Sequence, residues 1–226
     1  MLTVDQAAAR LGVGAQEVRR LIRSGALRAE RVGRTLVLPA DAVDERARLA
    51  VGAGRVLSPS TAWATLWELS GERAGWLDRS GRSRLAARLR ETDADELVAA
   101  TRARADRLGL RVLPAYRDRV LATQGVVPSG ITAADAAGAD VVAAGAPAEL
   151  YCSAETLAVL RRDLGLSDRG EPNLVVRVPR FSELPLDGLE HMPVAVVAVD
   201  LAESADVRTR RAGLDLLTSA LIARRR

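Results

Sequence analysis

Gln16 stands three and four positions before Arg19 and Arg20, and Arg23 four and three after them, the intervals that bring side chains onto one face of a helix. Arginine presents a planar fork of donors that meets a phosphate, or the O6 and N7 of guanine, with two hydrogen bonds at once; a glutamine amide does the same for adenine. A helix carrying that set could read base edges or grip the backbone of a polyanion. Arg31 and Arg34, on either side of Val32 and Gly33, could add backbone contacts from a neighbouring hairpin. Together with Glu17 and Glu30, the same residues could equally form a solvated charged face.

Other chemistries are thinly represented. Nucleophilic catalysis needs a Ser, Cys or Thr with a base in reach, and the one histidine, His191, stands beside Met192 and Pro193 with no partner at a telling interval. A lone histidine and a lone cysteine, Cys152, cannot build a histidine-rich metal site or an internal disulfide. No glycine-lysine stretch forms a phosphate-cradling loop, and Asp140, Glu149 and Asp200 are too scattered to claim as metal ligands. The expectation is a protein without catalytic residues, metal ligands or cofactor. Cys152, ending an apolar run, is expected to act as a small hydrophobe.

The elements that must position the arginines are legible. Thr3 and Gln6 make a capping box ahead of Val4, Ala7, Ala8 and Leu11, so a first helix is expected to end at Gly12. Val13 and Gly14 lead into a second helix with Val18, Leu21 and Ile22 inward, stopped by Gly25. Two short helices joined by a glycine-containing turn make a helix-turn-helix, whose second helix can enter a major groove. Residues 27–32 and 35–38 read as strands of a hairpin turning at Gly33 and Arg34, and Pro39 and Asp41 open a third helix towards Leu49.

The run at residues 2–13, the Val-Arg-Arg-Leu-Ile-Arg-Ser-Gly-Ala-Leu stretch at 18–27, Arg-Val-Gly-Arg at 31–34 and Leu-Pro-Ala-Asp-Ala-Val at 38–43 resemble the excisionase/MerR-like winged-helix family. That resemblance implies a module that binds double-stranded DNA. It places Gln16, Arg19, Arg20 and Arg23 at base edges or flanking phosphates, and Arg31 and Arg34 on the backbone from the wing.

Composition sets the frame. The chain of 226 residues carries 33 basic side chains, all arginine, against 29 acidic ones. Residues 1–60 hold 10 arginines against 6 carboxylates, whereas residues 131–226 hold 11 against 14. A basic front and an acidic back fit a chain whose first part meets a polyanion and whose last part meets something else. No apolar stretch approaches the roughly 20 residues that span a bilayer, and the N-terminus lacks the order of a signal peptide, so a cytoplasmic protein is expected.

Past a glycine-bearing link at 51–58, helices are expected at 60–69, 82–89 and 95–108. Trp63, Trp67 and Trp76 lie at helical spacing among leucines and are read as core, not as a platform for bases. Short apolar runs at 110–113, 140–143, 149–152, 174–178 and 194–199 read as strands, with helices at 116–123, 132–137, 154–164 and 206–223. The last helix carries a stripe of Val207, Leu214 and Leu221, joined by Leu217. The fold class is therefore α+β: a winged helix-turn-helix at 1–50, a linker and helical segment at 51–108, and a mixed α+β domain at 109–226.

The segment at 61–71, the Trp-Leu-Asp-Arg-Ser-Gly-Arg-Ser-Arg-Leu stretch at 76–85, the turn at 129–135 and the run at 196–213 resemble actinobacterial regulators related to abortive-infection AbiEi-type antitoxins. That resemblance implies a type IV antitoxin that represses its own promoter by binding repeats there and counters a nucleotidyltransferase-type toxin. Palindromic or repeated DNA sites would follow from binding by two copies. An excisionase-type architectural protein that bends DNA and a protein-interaction module that no longer binds DNA are the alternative readings.

Overall fold

The computed structural model describes residues 1–226 apart from 24–26, 28, 34, 51–55, 142–144 and 226. Gly25 as a helix stop, Arg34 in the hairpin turn, the 51–55 part of the link and the 142–143 part of an expected strand lie outside the described residues.

Strand β1 (Leu2–Thr3) leads into helices α1 (Val4–Leu11) and α2 (Ala15–Arg23), the hairpin β2 (Glu30–Val32) and β3 (Thr35–Leu38), and helix α3 (Ala40–Ala50). The capping box forms: Thr3 Oγ1 accepts from the Gln6 N–H at 3.2 Å, and Gln6 Oε1 accepts from the Thr3 N–H at 2.8 Å. Gly12, at φ 65°, closes α1 in the left-handed conformation that glycine adopts without strain. Val32 pairs with Thr35, so the hairpin turns over two residues, and Gly33 at φ 61° supplies the positive angle this turn requires. The strand expected at 27–32 begins only at Glu30, because the Leu27 N–H is committed to the Leu21 carbonyl at the end of α2. Leu27 joins Val4, Ala7, Ala8, Val18, Leu21, Leu38 and Val43 in one apolar cluster. Arg10 bridges to Asp44 at 2.9 Å and ties α1 to α3.

The rest of the chain runs α4 (Pro59–Leu69), α5 (Arg79–Glu91), α6 (Ala94–Thr101), β4 (Ala105–Leu110), a 3₁₀ turn (Pro114–Tyr116) into α7 (Arg117–Leu121), β5 (Val126–Pro128), a second 3₁₀ turn (Gly130–Ala133), β6 (Ala148–Cys152), α8 (Ala154–Asp163), β7 (Leu174–Pro179), α9 (Val194–Ala202) and α10 (Val207–Arg225). The second sheet has the order β4-β7-β6-β5 and is mixed: β6 and β7 are parallel, the other pairs antiparallel. With its N-terminal helix-turn-helix the chain is α+β. Trp63 and Trp67 of α4, Leu97 of α6, Tyr151 of β6, Val196 of α9 and Leu217 of α10 belong to one buried cluster, so the helices before β4 and those after β7 share a core. Trp63 is fully buried and its indole N–H donates to the Arg104 carbonyl at 2.9 Å; Trp63 and Trp67 fill the interior from α4, as their spacing predicts, while Trp76 lies in the turn before α5 and packs, half-buried, against the same cluster.

Several elements depart from the sequence reading. The helix expected at 95–108 stops at Thr101, and β4 takes over before the strand expected at 110–113. Leu108 and Leu110 alternate inward and pair with Val176 and Leu174, so the period of two prevails over the helical stripe. The apolar run at 194–199 is the helix α9, buried on every side, where β-branched content cannot tell a core helix from a core strand. Residues 132–137 form a 3₁₀ turn and a tight turn, not an α-helix, Asp140 and Val141 are outside any strand, and β5 carries too few residues to register as periodic. In α10, Leu217 and Leu221 are buried, but Val207 is 72% exposed and leaves the stripe. A Cβ on Gly213 would lie 2.5 Å from the Ala198 carbonyl oxygen, so only glycine lets α10 cross α9 this closely. Among the described residues no helix is long and apolar enough to cross a membrane.

Candidate nucleic-acid interface

At 3.6 residues per turn, Gln16, Arg19, Arg20 and Arg23 fall within an arc of roughly 100° on α2. Val18 and Leu21 occupy the opposite face and anchor the helix in the N-terminal core. All four polar side chains are exposed, and with Gly14 and Glu17 they line one open depression. The helix is about 10–12 Å across with its side chains, against a major groove about 12 Å wide. Arg31 is exposed on β2, beside the turn; Arg34 lies outside the described residues.

The four positions differ electrostatically. Arg20 is held by Glu17 through two hydrogen bonds, at 2.8 Å and 2.5 Å, and this bonding raises the guanidinium pKa and lowers that of the carboxyl. Arg19, Arg23 and Arg31 have no ion pair among the described residues, so their donors face solvent. Glu17 therefore neutralises part of the face, and Arg19 and Arg23 carry its uncompensated charge.

A second constellation, which the sequence reading missed, lies where β4, β6 and β7 meet α9. Arg104 bonds Asp200 at 2.5 Å and Glu203 at 2.6 Å; Arg177 bonds Glu149, Asp200 at 3.1 Å and Glu203 at 3.3 Å. Ser129 donates to Asp200 at 2.5 Å, and the Tyr151 hydroxyl accepts from Arg104 Nε and donates to Asp200 at 3.0 Å. Burial alone would raise the Glu203 carboxyl, but Arg104 and Arg177 outweigh it and hold the group down to about 2. At Glu149 burial wins over Arg177 and the pKa is raised. Glu149 and Asp200, scattered in sequence, do come together, but on guanidinium groups and closed off from solvent. The Cys152 thiol, buried in the sheet, is pushed up to about 12 by desolvation, which suits an inert small hydrophobe. The signal for the cluster was a charge inside an apolar run: Arg177 in Leu-Val-Val-Arg-Val, and Asp200 at the end of Val-Ala-Val-Val-Ala-Val. Such a charge is tolerated only with a buried partner.

Comparison with known proteins bears on the segment that carries the first of these two constellations. No curated protein and no solved structure matches the chain, and the resemblance of its later residues to antitoxins finds no support there. Residues 1–48 match the family model described as Helix-turn-helix domain, the segment in which the capping box, the glycine turn and the exposed face of α2 are found.

Proposed function

We propose that this chain is a sequence-specific, double-stranded DNA-binding transcriptional regulator, with α2 as the helix that enters the major groove. The observation that carries the reading is the exposed arc of Gln16, Arg19, Arg20 and Arg23 backed by a buried Val18 and Leu21, within a segment that matches a helix-turn-helix family. Arg19 and Arg23 are the principal contacts, Arg20 shares its charge with Glu17, and Arg31 with Arg34 adds backbone contacts from the hairpin. The proposal assigns no reaction to the chain.

Titration of the protein against its own upstream DNA and a scrambled duplex, at two salt concentrations, tests it. Tighter binding of the upstream DNA that weakens with salt and with Arg19→Ala/Arg23→Ala is the expected result. Equal binding to both duplexes removes sequence specificity, and absence of binding removes the reading and favours a protein-interaction module.

A repressor that is also an antitoxin is the finer form of the proposal, and it rests on the motifs at 61–71, 76–85, 129–135 and 196–213. It predicts rescue of cells from a neighbouring nucleotidyltransferase-type toxin by the whole chain and by its Arg19→Ala/Arg23→Ala variant. Failure of the whole chain to rescue leaves the regulator alone.

A further inference from the structure

Helix α5 carries five arginines, Arg79, Arg82, Arg84, Arg88 and Arg90, and one carboxylate, Glu91. Leu85 and Leu89 are buried and fix its inner face. Arg79, Arg84, Arg88 and Arg90 are exposed, and none of them has an ion pair among the described residues. Some surface arginines elsewhere do find carboxylates, Arg20 with Glu17, Arg161 with Asp168, Arg162 with Asp163 and Arg211 with Asp215, whereas Arg19, Arg23 and Arg31, like these four, have none among the described residues.

Arg88 and Arg90, in the last turn, suit the macrodipole, but the remaining placements work against the helix. Arg84 and Arg88 are a like-charge pair four residues apart, which destabilises an isolated helix. Arg79 and Arg82 sit in the first turn, where the macrodipole is positive and cations are disfavoured. Arg82 recovers part of this by donating to the Leu77 carbonyl at 2.5 Å. For Arg79 and Arg84 no contact within the fold compensates, which is the pattern expected of functional positions.

The geometry names the partner. At 100° per residue, Arg79 and Arg90 lie along one flank of the exposed face and Arg84 and Arg88 along the other, with the small exposed residues Ser80, Ser83 and Ala87 on the ridge between them and Glu91, the one carboxylate of this face, at the C-terminal end beside Arg84. Small side chains on the ridge read no base edges, while two arginine flanks face the phosphates on both sides of a groove. We infer that α5 is a second DNA-contact surface, which grips the duplex backbone without regard to sequence. This inference rests on the DNA-binding reading above.

The test is a salt series with the full chain on its upstream duplex and on a scrambled one, for the wild type, Arg84→Gln/Arg88→Gln, Arg84→Lys/Arg88→Lys and Arg19→Ala/Arg23→Ala. Each phosphate contact contributes about 0.9 to the slope of log K against log salt, so the glutamine pair should flatten it by roughly 1.8 on both duplexes. The lysine pair, which keeps the charge, should retain the slope. The glutamine pair should also melt no lower than the wild type, since it relieves a repulsion; a solvated or structural face would give unchanged slopes. A wild-type slope in the glutamine pair, with binding still lost in Arg19→Ala/Arg23→Ala, overturns this inference and leaves the helix-turn-helix reading standing. Absence of duplex binding by the wild type overturns both.

Discussion

The arginines of α2 and those of the sheet are the same side chain in opposite settings. Arg19 and Arg23 are exposed and unpaired among the described residues, whereas Arg104 and Arg177 are each 2% exposed and surrounded by Asp200, Glu203, Glu149 and Tyr151. In water a guanidinium costs the fold little and remains available to an outside anion. Inside the protein its desolvation must be offset by carboxylates already in place, and its hydrogen-bonding capacity is consumed. The basic character of this chain therefore overstates what is offered to a polyanion, and location separates the arginines that can bind one from those that hold α9 to the sheet.

The strongest way to break this contrast is to remove one charge from the interior. Arg177→Ala leaves Glu149, Asp200 and Glu203 with one cation fewer and should cost about 3–5 kcal/mol of stability. Arg19→Ala/Arg23→Ala should leave the denaturation midpoint where it is. Urea denaturation of both variants checks the pair of expectations, and equal midpoints would show the buried network to be energetically idle.

Acid sharpens the comparison from another side. Glu203 is held at about 2 in the folded chain, below its ordinary 4.5, so its contribution to stability is complete above the unfolded value and is lost as the pH falls through 4 towards 2. Glu149 has the opposite sign: its raised pKa means that the folded state gains relative stability as that group takes up a proton on acidification. Unfolding free energies between pH 7 and pH 2 should fall most steeply below about pH 4.5. Glu203→Gln should flatten that fall, and an unchanged pH profile would remove Glu203 from the account.

A smaller effect belongs to the exposed side. Glu17→Gln removes the carboxylate that holds Arg20 and subtracts a negative charge from the face. Duplex binding should tighten, with a larger gain at low salt than at high salt. Weaker binding would mean that Glu17 positions Arg20 for its contact.

These two regions were unequally legible in the sequence. The N-terminal elements rest on local interactions that a linear reading captures: the Thr3–Gln6 box, Gly12 as a stop, the turn at Gly33 and the helical period of Val18, Leu21 and Ile22. The restraint of Arg20 by Glu17 is local as well, a pair three residues apart. The buried network is not local. Arg104 and Glu203 are 99 positions apart, and they meet because β4 and α9 are brought together by a sheet whose order the sequence does not announce. The same lack of local information makes residues 194–199 read as a strand although they belong to the helix Val194–Ala202, since an apolar run buried on all sides has no polar face to reveal its period.

Protection of guanine N7 from methylation across the upstream duplex is the most direct test of α2 as the reading helix, because N7 lies in the major groove where Arg19 and Arg23 would bond it. The account predicts a short cluster of protected guanines with the wild-type chain, lost with Arg19→Ala/Arg23→Ala while Arg84→Gln/Arg88→Gln keeps the same pattern at higher protein concentration. Saturated binding with every guanine N7 still open to methylation would contradict it.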